Sequence, residues 1–427
     1  MSLDPSASLP TFRAGMVGMG MIFDETYAPF FRQARHGIHD PRCGLFRVTL
    51  VGAATRTGRR AEAWHAAQPD VAPEFQSHAG TEAVAALLQS GVDFLCVASP
   101  DDRHFDAARQ ALEAGKHVLI EKPSVLTLAE LEELQRLAHQ HGVLAKVVYH
   151  KLLDPDHKRL RTLVADAVLQ HVNNGYCTLL EPKSISTGQF AEWIQGRNPG
   201  TYVAVHYIKL IDFTFGGHLI SVSCTGQRGI VGAADGDTWD STQLRLTYRY
   251  DDGRDAVFDI HTSWVTPDNF PGYVEQEVQF RFDNGVWNGH SRKRGIECVI
   301  EGRTPHELKT SINTHYNGSC LEPWGERRQR GYGVEVIERF AREVAYVEAG
   351  GPATERSARL AEMRALHYND VASDRQVVAA VQAMEAILRH HAAGRPHAVV
   401  EVNAAEGGLV LRLPGVTEAE VLHGPRV

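Results

Sequence analysis

Residues 14 to 149 alternate between short apolar runs and longer amphipathic segments, and this alternation constrains the fold more than any other feature of the chain. Apolar runs of strand length stand at 14–20, 46–54, 93–99, 116–120 and 143–149. Strands that alternate with helices form βαβ units around a parallel sheet. The sequence therefore predicts a Rossmann-like, doubly wound α/β domain over residues 13–150, after a disordered lead of residues 1–12.

The remainder of the chain, residues 151–427, shows a different pattern. Segments 244–250 and 256–261 alternate apolar and polar residues, as strands with one covered face do. Amphipathic helices ending in glycine follow at 334–350 and 375–394. These features predict an α+β domain with a large, open, mostly antiparallel sheet.

Composition excludes several classes of function. The 427 residues include no apolar run long enough to span a bilayer, so we expect no membrane partner. A net charge of −8 without a basic stripe argues against nucleic acid as a partner. The six cysteines are scattered, and no H-E-x-x-H motif is present, so we expect reduced thiols and no metal. The start of the chain lacks a secretory signal pattern, which favours a cytoplasmic location.

The first strand-to-helix loop carries part of a dinucleotide fingerprint. In a doubly wound sheet, ligands bind beyond the carboxyl ends of the strands. Gly18 and Gly20 fit G-x-G-x-x-G, but Phe23 occupies the third glycine position. Their backbone and that of Met21 and Ile22 could meet a pyrophosphate at a helix N-terminus. A tight turn with two glycines and no ligand is the alternative interpretation.

The second loop lacks the acidic residue that would bind the ribose hydroxyls of NAD. Thr55 and Arg56 stand there instead, followed by Arg59 and Arg60. A hydroxyl and arginines could accept the 2′-phosphate of NADP, so NADP is slightly favoured over NAD as the cofactor. The alternative is that these arginines are solvated residues at the start of a helix.

The third and fourth loops follow strands that belong at the centre of the sheet. The predicted cofactor contacts in the third loop are Ser99, Pro100, Asp101 and His104. In the fourth loop they are Glu121 and Lys122, which precede Pro123. A proline cannot continue the strand ladder and favours an extended residue before it. We therefore expect Lys122 to be held over the crevice.

These loops together resemble those of the glucose-fructose oxidoreductase and inositol dehydrogenase family, called Gfo/Idh/MocA. The most specific stretch is SPDDRHFDAARQALEAGKHVLIEKP at 99–123. It is similar to that family's Pro-Asn, a histidine shortly after, Ala-Gly-Lys-His-Val and Glu-Lys-Pro. The resemblance covers the first 150 residues well and the rest in outline, with a linking helix, a long antiparallel sheet and returning helices.

In that family a second helix carries an aspartate four residues before a histidine and another aspartate three residues after it. The segment PGTYVAVHYIKLIDFTFGG at 199–217 supplies the histidine as His206, with Tyr202 and Lys209 in place of the aspartates. These three residues and Phe213 are spaced by four, three and four, so they share a helical face. The alternative is a structural face on which the aromatic rings pack and the lysine reaches water.

The resemblance implies an NAD(P)-dependent dehydrogenase or reductase that moves hydride between nicotinamide C4 and a secondary hydroxyl or ketone of a sugar, cyclitol or sugar derivative. It implies that Lys122 hydrogen-bonds the reacting oxygen, that His206 exchanges the proton, and that Tyr202 relays the proton or orients the histidine. A homodimer or homotetramer is also implied. Candidate substrate contacts are His150, Lys151, Trp193, Lys209, Trp264 and Asn317. Either tryptophan could instead belong to the core.

Two other classes of function stay open because Tyr202 replaces the usual aspartate. One is a glycoside hydrolase that oxidises the sugar transiently with NAD, eliminates the aglycone and returns the hydride. The other is a non-enzymatic protein that binds a dinucleotide or a sugar as a sensor. The sequence does not identify the sugar.

Overall fold

The computed structural model describes residues 9–189, 194–233, 237–270, 274–290, 296–297, 311–403 and 408–424. The chain divides into two compact units. The first comprises Met1–Val125, Glu130–Val148 and Asn317–Ser373, and the second comprises Leu126–Ala129, Tyr149–Tyr316 and Asp374–Val427. The predicted boundaries 13–150 and 151–427 differ from these units because a late segment returns to the first one.

The secondary structure of the described residues consists of strands, α-helices, short π-helical turns and short 3-10 helices, the latter at Pro69–Val71, Asp101–Arg103, His150–Leu153, Ala353–Glu355 and Val371–Ser373. In chain order, the strands are β1 (Thr11–Val17), β2 (Ile38–Asp40), β3 (Gly44–Thr55), β4 (Gln76–Ala79), β5 (Phe94–Val97), β6 (His117–Ile120), β7 (Ala145–Val147), β8 (Val172–Pro182), β9 (His218–Gln227), β10 (Ser241–Arg249), β11 (Asp255–Thr266), β12 (Glu275–Phe282), β13 (Gly285–His290), β14 (Ile296–Glu297), β15 (Ser311–Ile312), β16 (Gly318–Leu321), β17 (Arg327–Arg330), β18 (Val399–Asn403), β19 (Gly408–Arg412) and β20 (Glu420–His423). The α-helices are α1 (Ala28–Ala34), α2 (Arg59–Ala67), α3 (Ala83–Gln89), α4 (His104–Glu113), α5 (Leu128–His141), α6 (Pro155–Ala165), α7 (Val205–Phe215), α8 (Thr314–Asn317), α9 (Tyr332–Ala349), α10 (Arg356–Ala365) and α11 (Arg375–Ala392). Short π-helices lie at Phe23–Tyr27, Ile185–Gln189 and Gly200–Ala204.

The first unit contains the predicted doubly wound sheet. Its parallel strands run in the order β4-β3-β1-β5-β6-β7, with β2 antiparallel to β3. The order reverses between β1 and β5, which is where such sheets bind ligands. The sequence did not predict strands β2 and β4, because both are short and β4 is the polar segment Gln-Ser-His-Ala. Thr11 and Phe12, assigned to the disordered lead, already belong to β1.

The segment Asn317–Ser373, called the return segment below, completes the first unit. Helix α9 contacts α1 and β6 within that unit, and its Phe340 packs edge-to-face on Phe94 of β5 with ring centroids 5.4 Å apart. In the same unit, Lys146 of β7 has no exposed surface. Its Nζ donates to the Met363 carbonyl at 2.7 Å and lies 3.3 Å from Asp370 Oδ2. A buried cation needs such partners, so the return segment is an integral part of this unit.

The second unit contains a nine-stranded sheet in the order β13-β12-β8-β11-β10-β9-β18-β19-β20. Its pairs are antiparallel except β8 with β11, as the sequence predicts. Along β11 buried residues alternate with half-buried ones, so one face is apolar. The other face carries cross-strand pairs such as Arg245 with Asp259 at 2.8 Å. In the described part of the chain, no helix has the length and hydropathy needed to cross a membrane.

Candidate functional site

The turn after β1 fits a dinucleotide. Gly18 has φ +84°, and its N–H donates to the Ala54 carbonyl at 2.9 Å. A Cβ at Gly18 would lie 2.4 Å from the Ala98 oxygen, so this residue must be glycine. A Cβ at Gly20 would meet no atom within 4 Å. The second glycine therefore borders open space at the start of a helix, which is the cradle that a pyrophosphate requires.

Phe23, which stands at the third glycine position, is part of the core of the first unit. The ring is fully buried and packs edge-to-face on Trp64, with centroids 5.3 Å apart. The helix opens there into the π-helical turn Phe23–Tyr27, in which Ala28 N–H donates to the Phe23 carbonyl. A π-helical turn is wider than an α-helical one. The predicted contacts Met21 and Ile22 stand half-buried directly before this turn.

The second loop places Thr55 at the end of β3. The Thr55 hydroxyl accepts a hydrogen bond from Gly58 N–H at 3.0 Å, which closes the turn before α2. Arg56 is exposed. Arg60 forms an ion pair with Asp24, which lies in the π-helical turn Phe23–Tyr27. Arg60 is thus already paired with an acid.

The third and fourth loops are joined by one histidine. His104 is 1% exposed, and its Nδ1 and Nε2 lie 2.7 Å from the Pro123 carbonyl and 2.8 Å from the Ser99 carbonyl. Burial lowers the pKa of His104, and the two carbonyl acceptors oppose this effect. The His104 side chain, predicted to bind the cofactor, therefore connects the two loops through contacts with their backbone carbonyls. Pro100 is half-buried, and Asp101 accepts from Asp102 N–H at 2.9 Å.

Glu121 and Lys122 follow β6 directly. Glu121 is buried, and its Oε1 accepts a hydrogen bond from the Tyr27 hydroxyl at 3.0 Å. Burial raises the pKa of Glu121, while the charge of Lys122 opposes that rise. Lys122 itself is half-buried, and its peptide bond to Pro123 is cis. The sequence did not predict a role for Tyr27, because no local spacing connects it with β6.

In the second unit, His206 lies in an aromatic cluster. The His206 and His150 ring centroids are 4.4 Å apart, and the His150 and Tyr316 centroids are 5.1 Å apart. His206 is 5% exposed, whereas the other two rings are half-buried. The structure places His150, predicted as a substrate contact, beside His206, predicted to exchange the proton. Tyr316 was missed because it is more than 100 residues away in the sequence.

Lys209 does not have the surroundings predicted for a substrate contact. It is 1% exposed, and its Nζ lies 3.4 Å from Asp212 Oδ2 and 4.0 Å from Asp374 Oδ1. The Tyr149 hydroxyl donates to the same Asp374 oxygen at 2.8 Å. Burial raises the pKa of Asp212, and the Lys209 charge opposes that rise. The alternative in which Lys209 points to water is also wrong, since the lysine belongs to a buried ion-pair network.

Trp264, predicted as a possible sugar-stacking residue, belongs to the core. It has no exposed surface, and its Nε1–H donates to Glu181 Oε2 at 2.9 Å. A ring without exposed surface cannot stack on a sugar. Tyr202 is half-buried beside it, with ring centroids 6.3 Å apart, in the π-helical turn before α7. Trp193 lies outside the described residues.

Two further predicted substrate residues have other partners. Lys151 is 3% exposed, donates from Nζ to Gln276 Oε1, and lies 5.3 Å from the centre of the Tyr207 ring. Asn317 belongs to the first unit, where its Nδ2 donates to the Glu25 carbonyl at 2.9 Å. Both side chains are occupied by contacts within their own units, which sequence spacing could not reveal. Among the described residues, no group of three or more His, Cys, Asp or Glu could hold a metal ion.

Comparisons with known proteins find similarity over the first strands and helices of the chain. Residues 12–149 match the family model GFO_IDH_MocA, described as an oxidoreductase family with an NAD-binding Rossmann fold. The chain is 40% identical over 81 residues to the uncharacterized oxidoreductase YdgJ of Escherichia coli, which covers 19% of this chain and 23% of that protein. It is 32% identical over 82 residues to the scyllo-inositol 2-dehydrogenase (NADP(+)) IolW of Bacillus subtilis, covering 19% and 23%.

A likeness in fold extends over nearly the whole chain. The crystal structure of GenD2 from gentamicin A biosynthesis, in complex with NAD, aligns with a TM-score of 0.60 at 20% identity and covers 94% of this chain and 100% of that one. At this identity the alignment shows the fold alone. The sequence matches, by contrast, span about a quarter of each of the two curated relatives. Over residues 12–149, this chain is thus similar to the Gfo/Idh/MocA oxidoreductase family, whose model describes an NAD-binding Rossmann fold.

Proposed function

We propose that this chain is an NAD(P)-dependent oxidoreductase acting on a secondary hydroxyl, or the corresponding ketone, of a sugar, cyclitol or sugar derivative. The observation that carries the proposal is the glycine turn at the point where the sheet order reverses, with open space at Gly20 and a lysine at the end of β6. The name of the scyllo-inositol relative supports the substrate class.

Residues of the first unit would hold the dinucleotide. The backbone of Gly18, Gly20, Met21 and Ile22 would receive the pyrophosphate, because helix N-termini present unpaired N–H groups and a partial positive charge. The loops after β5 and β6, held together by His104, would line the nicotinamide end. When bound, the dinucleotide supplies or accepts the hydride.

Lys122 and His206 would carry out the proton chemistry. The Lys122 ammonium would donate a hydrogen bond to the substrate oxygen and stabilise negative charge that develops there. His206 would take or return the hydroxyl proton, because an imidazole can act both as proton acceptor and as proton donor. Tyr202 and His150 would orient the histidine or the substrate. The predicted convergence of Lys122, His206 and Tyr202 stays a prediction.

We also propose a preference for NADP over NAD, supported by Thr55 at the end of β3 and the exposed Arg56. Thr55→Asp would introduce a carboxylate where NADP carries its 2′-phosphate. We expect it to lower the ratio of NADP to NAD affinity by about tenfold or more, through charge repulsion. Titration calorimetry with both dinucleotides measures the ratio. An unchanged ratio, or a native protein that binds NAD more tightly, contradicts the preference.

The experiment that tests the proposed activity begins with mass spectrometry of the dinucleotide retained by the purified native protein. The protein is then supplied with dinucleotide and screened for oxidation of cyclitols and sugars and for reduction of keto-sugars. Substrate-dependent change in NAD(P)H absorbance supports the proposal. Glycoside cleavage without net redox change would instead identify the hydrolase. Dinucleotide binding without either reaction would identify a binding protein. The cytoplasmic location and the homodimer or homotetramer stay predictions.

A further inference from the structure

Pro29 removes one backbone donor from the helix that follows the glycine turn. Proline has no N–H, and in an α-helix its position would donate to the carbonyl four residues earlier, which is that of Glu25. Its ring also clashes with that carbonyl in regular helical geometry. The chain avoids this geometry through the π-helical turn Phe23–Tyr27, which runs directly into α1. The Glu25 carbonyl therefore lacks its ordinary helical donor.

Two side-chain amides donate to the Glu25 carbonyl instead. Asn317 Nδ2 lies 2.9 Å from this oxygen, and Gln329 Nε2 lies 2.8 Å from it. Gln329 Nε2 also donates to Asn317 Oδ1, so the two amides are held together. All of these residues belong to the first unit. The donors come from nearly 300 residues later in the chain, which makes this contact a tertiary replacement for a local one.

The amides lie at the base of a two-stranded hairpin. Strands β16 and β17 pair antiparallel, with Gln329 opposite Ser319. A third amide holds the hairpin from the helix side, since Gln33 Nε2 of α1 donates to the Gln329 carbonyl at 2.8 Å. The same Gln33 nitrogen lies 3.1 Å from the Pro29 carbonyl. The hairpin is thus fixed to both the π-helical turn and the α-helical part of one continuous helix.

We propose that Asn317 and Gln329 are positioning residues for dinucleotide binding, acting as an amide clamp on the Glu25 carbonyl. This inference rests on the proposed function, because the clamped turn directly follows the loop that would receive the pyrophosphate. Anion binding by backbone N–H groups depends on their being held in place before the ligand arrives. The clamp supplies hydrogen bonds to the carbonyl that Pro29 leaves without an α-helical donor.

The test compares the native chain with Asn317→Ala/Gln329→Ala and with the same pair combined with Pro29→Ala. Hydrogen–deuterium exchange of residues 19–30 and the Kd for NAD and NADP are measured well below the Tm. We expect the double variant to exchange faster and to bind the dinucleotide about tenfold more weakly, the loss expected for two hydrogen bonds. The triple variant should recover both properties, because Pro29→Ala restores a backbone N–H that can donate to the Glu25 carbonyl. Ser319→Ala, an exposed change on the same hairpin, should alter neither.

Two results would overturn the clamp. One is a double variant that exchanges faster but binds the dinucleotide normally, which would limit the amides to a structural role. The other is a triple variant that is no better than the double variant, which would show that the missing Pro29 donor is irrelevant. A native chain that binds neither NAD nor NADP defeats the proposed function itself, and this is seen before any variant is compared.

Discussion

Gly18 and Gly20 occupy the same turn but have different surroundings. The first is enclosed by the Ala98–Ser99 backbone and has φ +84°, whereas the second faces open space. A side chain at Gly18 would therefore destabilise the fold, whereas a side chain at Gly20 would fit the fold but obstruct a ligand bound there. The sequence motif alone does not distinguish the roles of the two glycines.

Gly20→Ala should leave the Tm nearly unchanged and weaken dinucleotide binding by about tenfold or more, because the methyl group would occupy the space of the pyrophosphate. Gly18→Ala is the matched variant, and it should reduce the free energy of unfolding by about 1–3 kcal/mol through its positive φ and its clash. Thermal unfolding and titration calorimetry separate the two effects. Normal dinucleotide affinity in the Gly20 variant would count against this turn as the pyrophosphate site.

Lys122→Ala and His206→Ala should each lower turnover by roughly 10²-fold or more while dinucleotide affinity and folding stay nearly intact, the size expected for losing a positioned acid or base. Tyr202→Phe should lower turnover less than His206→Ala does if the tyrosine only orients His206. It should lower turnover as much as His206→Ala does if the tyrosine carries the proton. Steady-state kinetics at saturating dinucleotide measures these losses. A His206→Ala protein with unaltered turnover would remove the histidine from the chemistry.

At the scale of elements, the short turn His150–Leu153 is held by the helix that follows it. His157 of α6 is buried, and its Nδ1 lies 2.9 Å from the Lys151 carbonyl. The side chain of Asp154 caps the same helix by accepting from Asp156 N–H at 3.0 Å. The turn that carries His150 is therefore held in part by the buried His157 of α6.

Burial lowers the pKa of His157 to about 4, and the charge of Lys151 adds to this effect. Between about pH 6.5 and 4, the unfolded chain binds a proton at this residue and the folded chain does not. The stabilisation is therefore complete above about pH 6.5 and is lost as the pH falls. We expect the free energy of unfolding to decline by about 2–3 kcal/mol more between about pH 7 and 4.5 in the native chain than in His157→Gln.

Urea denaturation at several pH values tests this expectation. His139→Gln, at an exposed histidine of α5, is the control and should follow the native pH dependence. Equal pH slopes for the native chain and His157→Gln would show that the histidine does not titrate differently on folding.

At the scale of the whole molecule, the first unit is discontinuous in sequence. Lys146 of β7 is buried next to Asp370 and Glu343, which the return segment supplies. The Tyr368 hydroxyl donates to Glu343 at 2.6 Å, and burial raises the pKa of this glutamate. A Rossmann domain cut at the predicted boundary would lose these partners together with the apolar face of α9.

A chain truncated after Val148 should therefore unfold at lower denaturant than the first unit does in the full protein, or without a cooperative transition. The control joins residues 9–148 to Asn317–Ser373 through a flexible Gly/Ser linker, and it should recover cooperative unfolding. Circular dichroism in urea measures both. If the truncated chain is as stable as the linked one, the return segment is dispensable for this unit.

The sequence by itself determined the Rossmann domain and the sheet edge that carries the candidate ligand-binding loops. Alternating apolar runs specify parallel strands through local periodicity, and the residues that follow each strand must emerge at the same edge of the sheet. For that reason Gly18, Thr55, Ser99 and Lys122 could be placed on candidate loops without a structure. The antiparallel sheet of the second unit was equally predictable, because a strand with one covered face alternates.

Only the tertiary structure decided which of the candidate residues contact the core and which line a site. Trp264 and Lys209 have spacings that suit either role, and burial assigns both to the interior. Asn317 reaches Glu25 across 292 positions, and Lys146 finds its partners across about 200, so no local pattern could encode these pairs. Periodicity reports which way a side chain faces along its own element, whereas its partner depends on how distant elements pack.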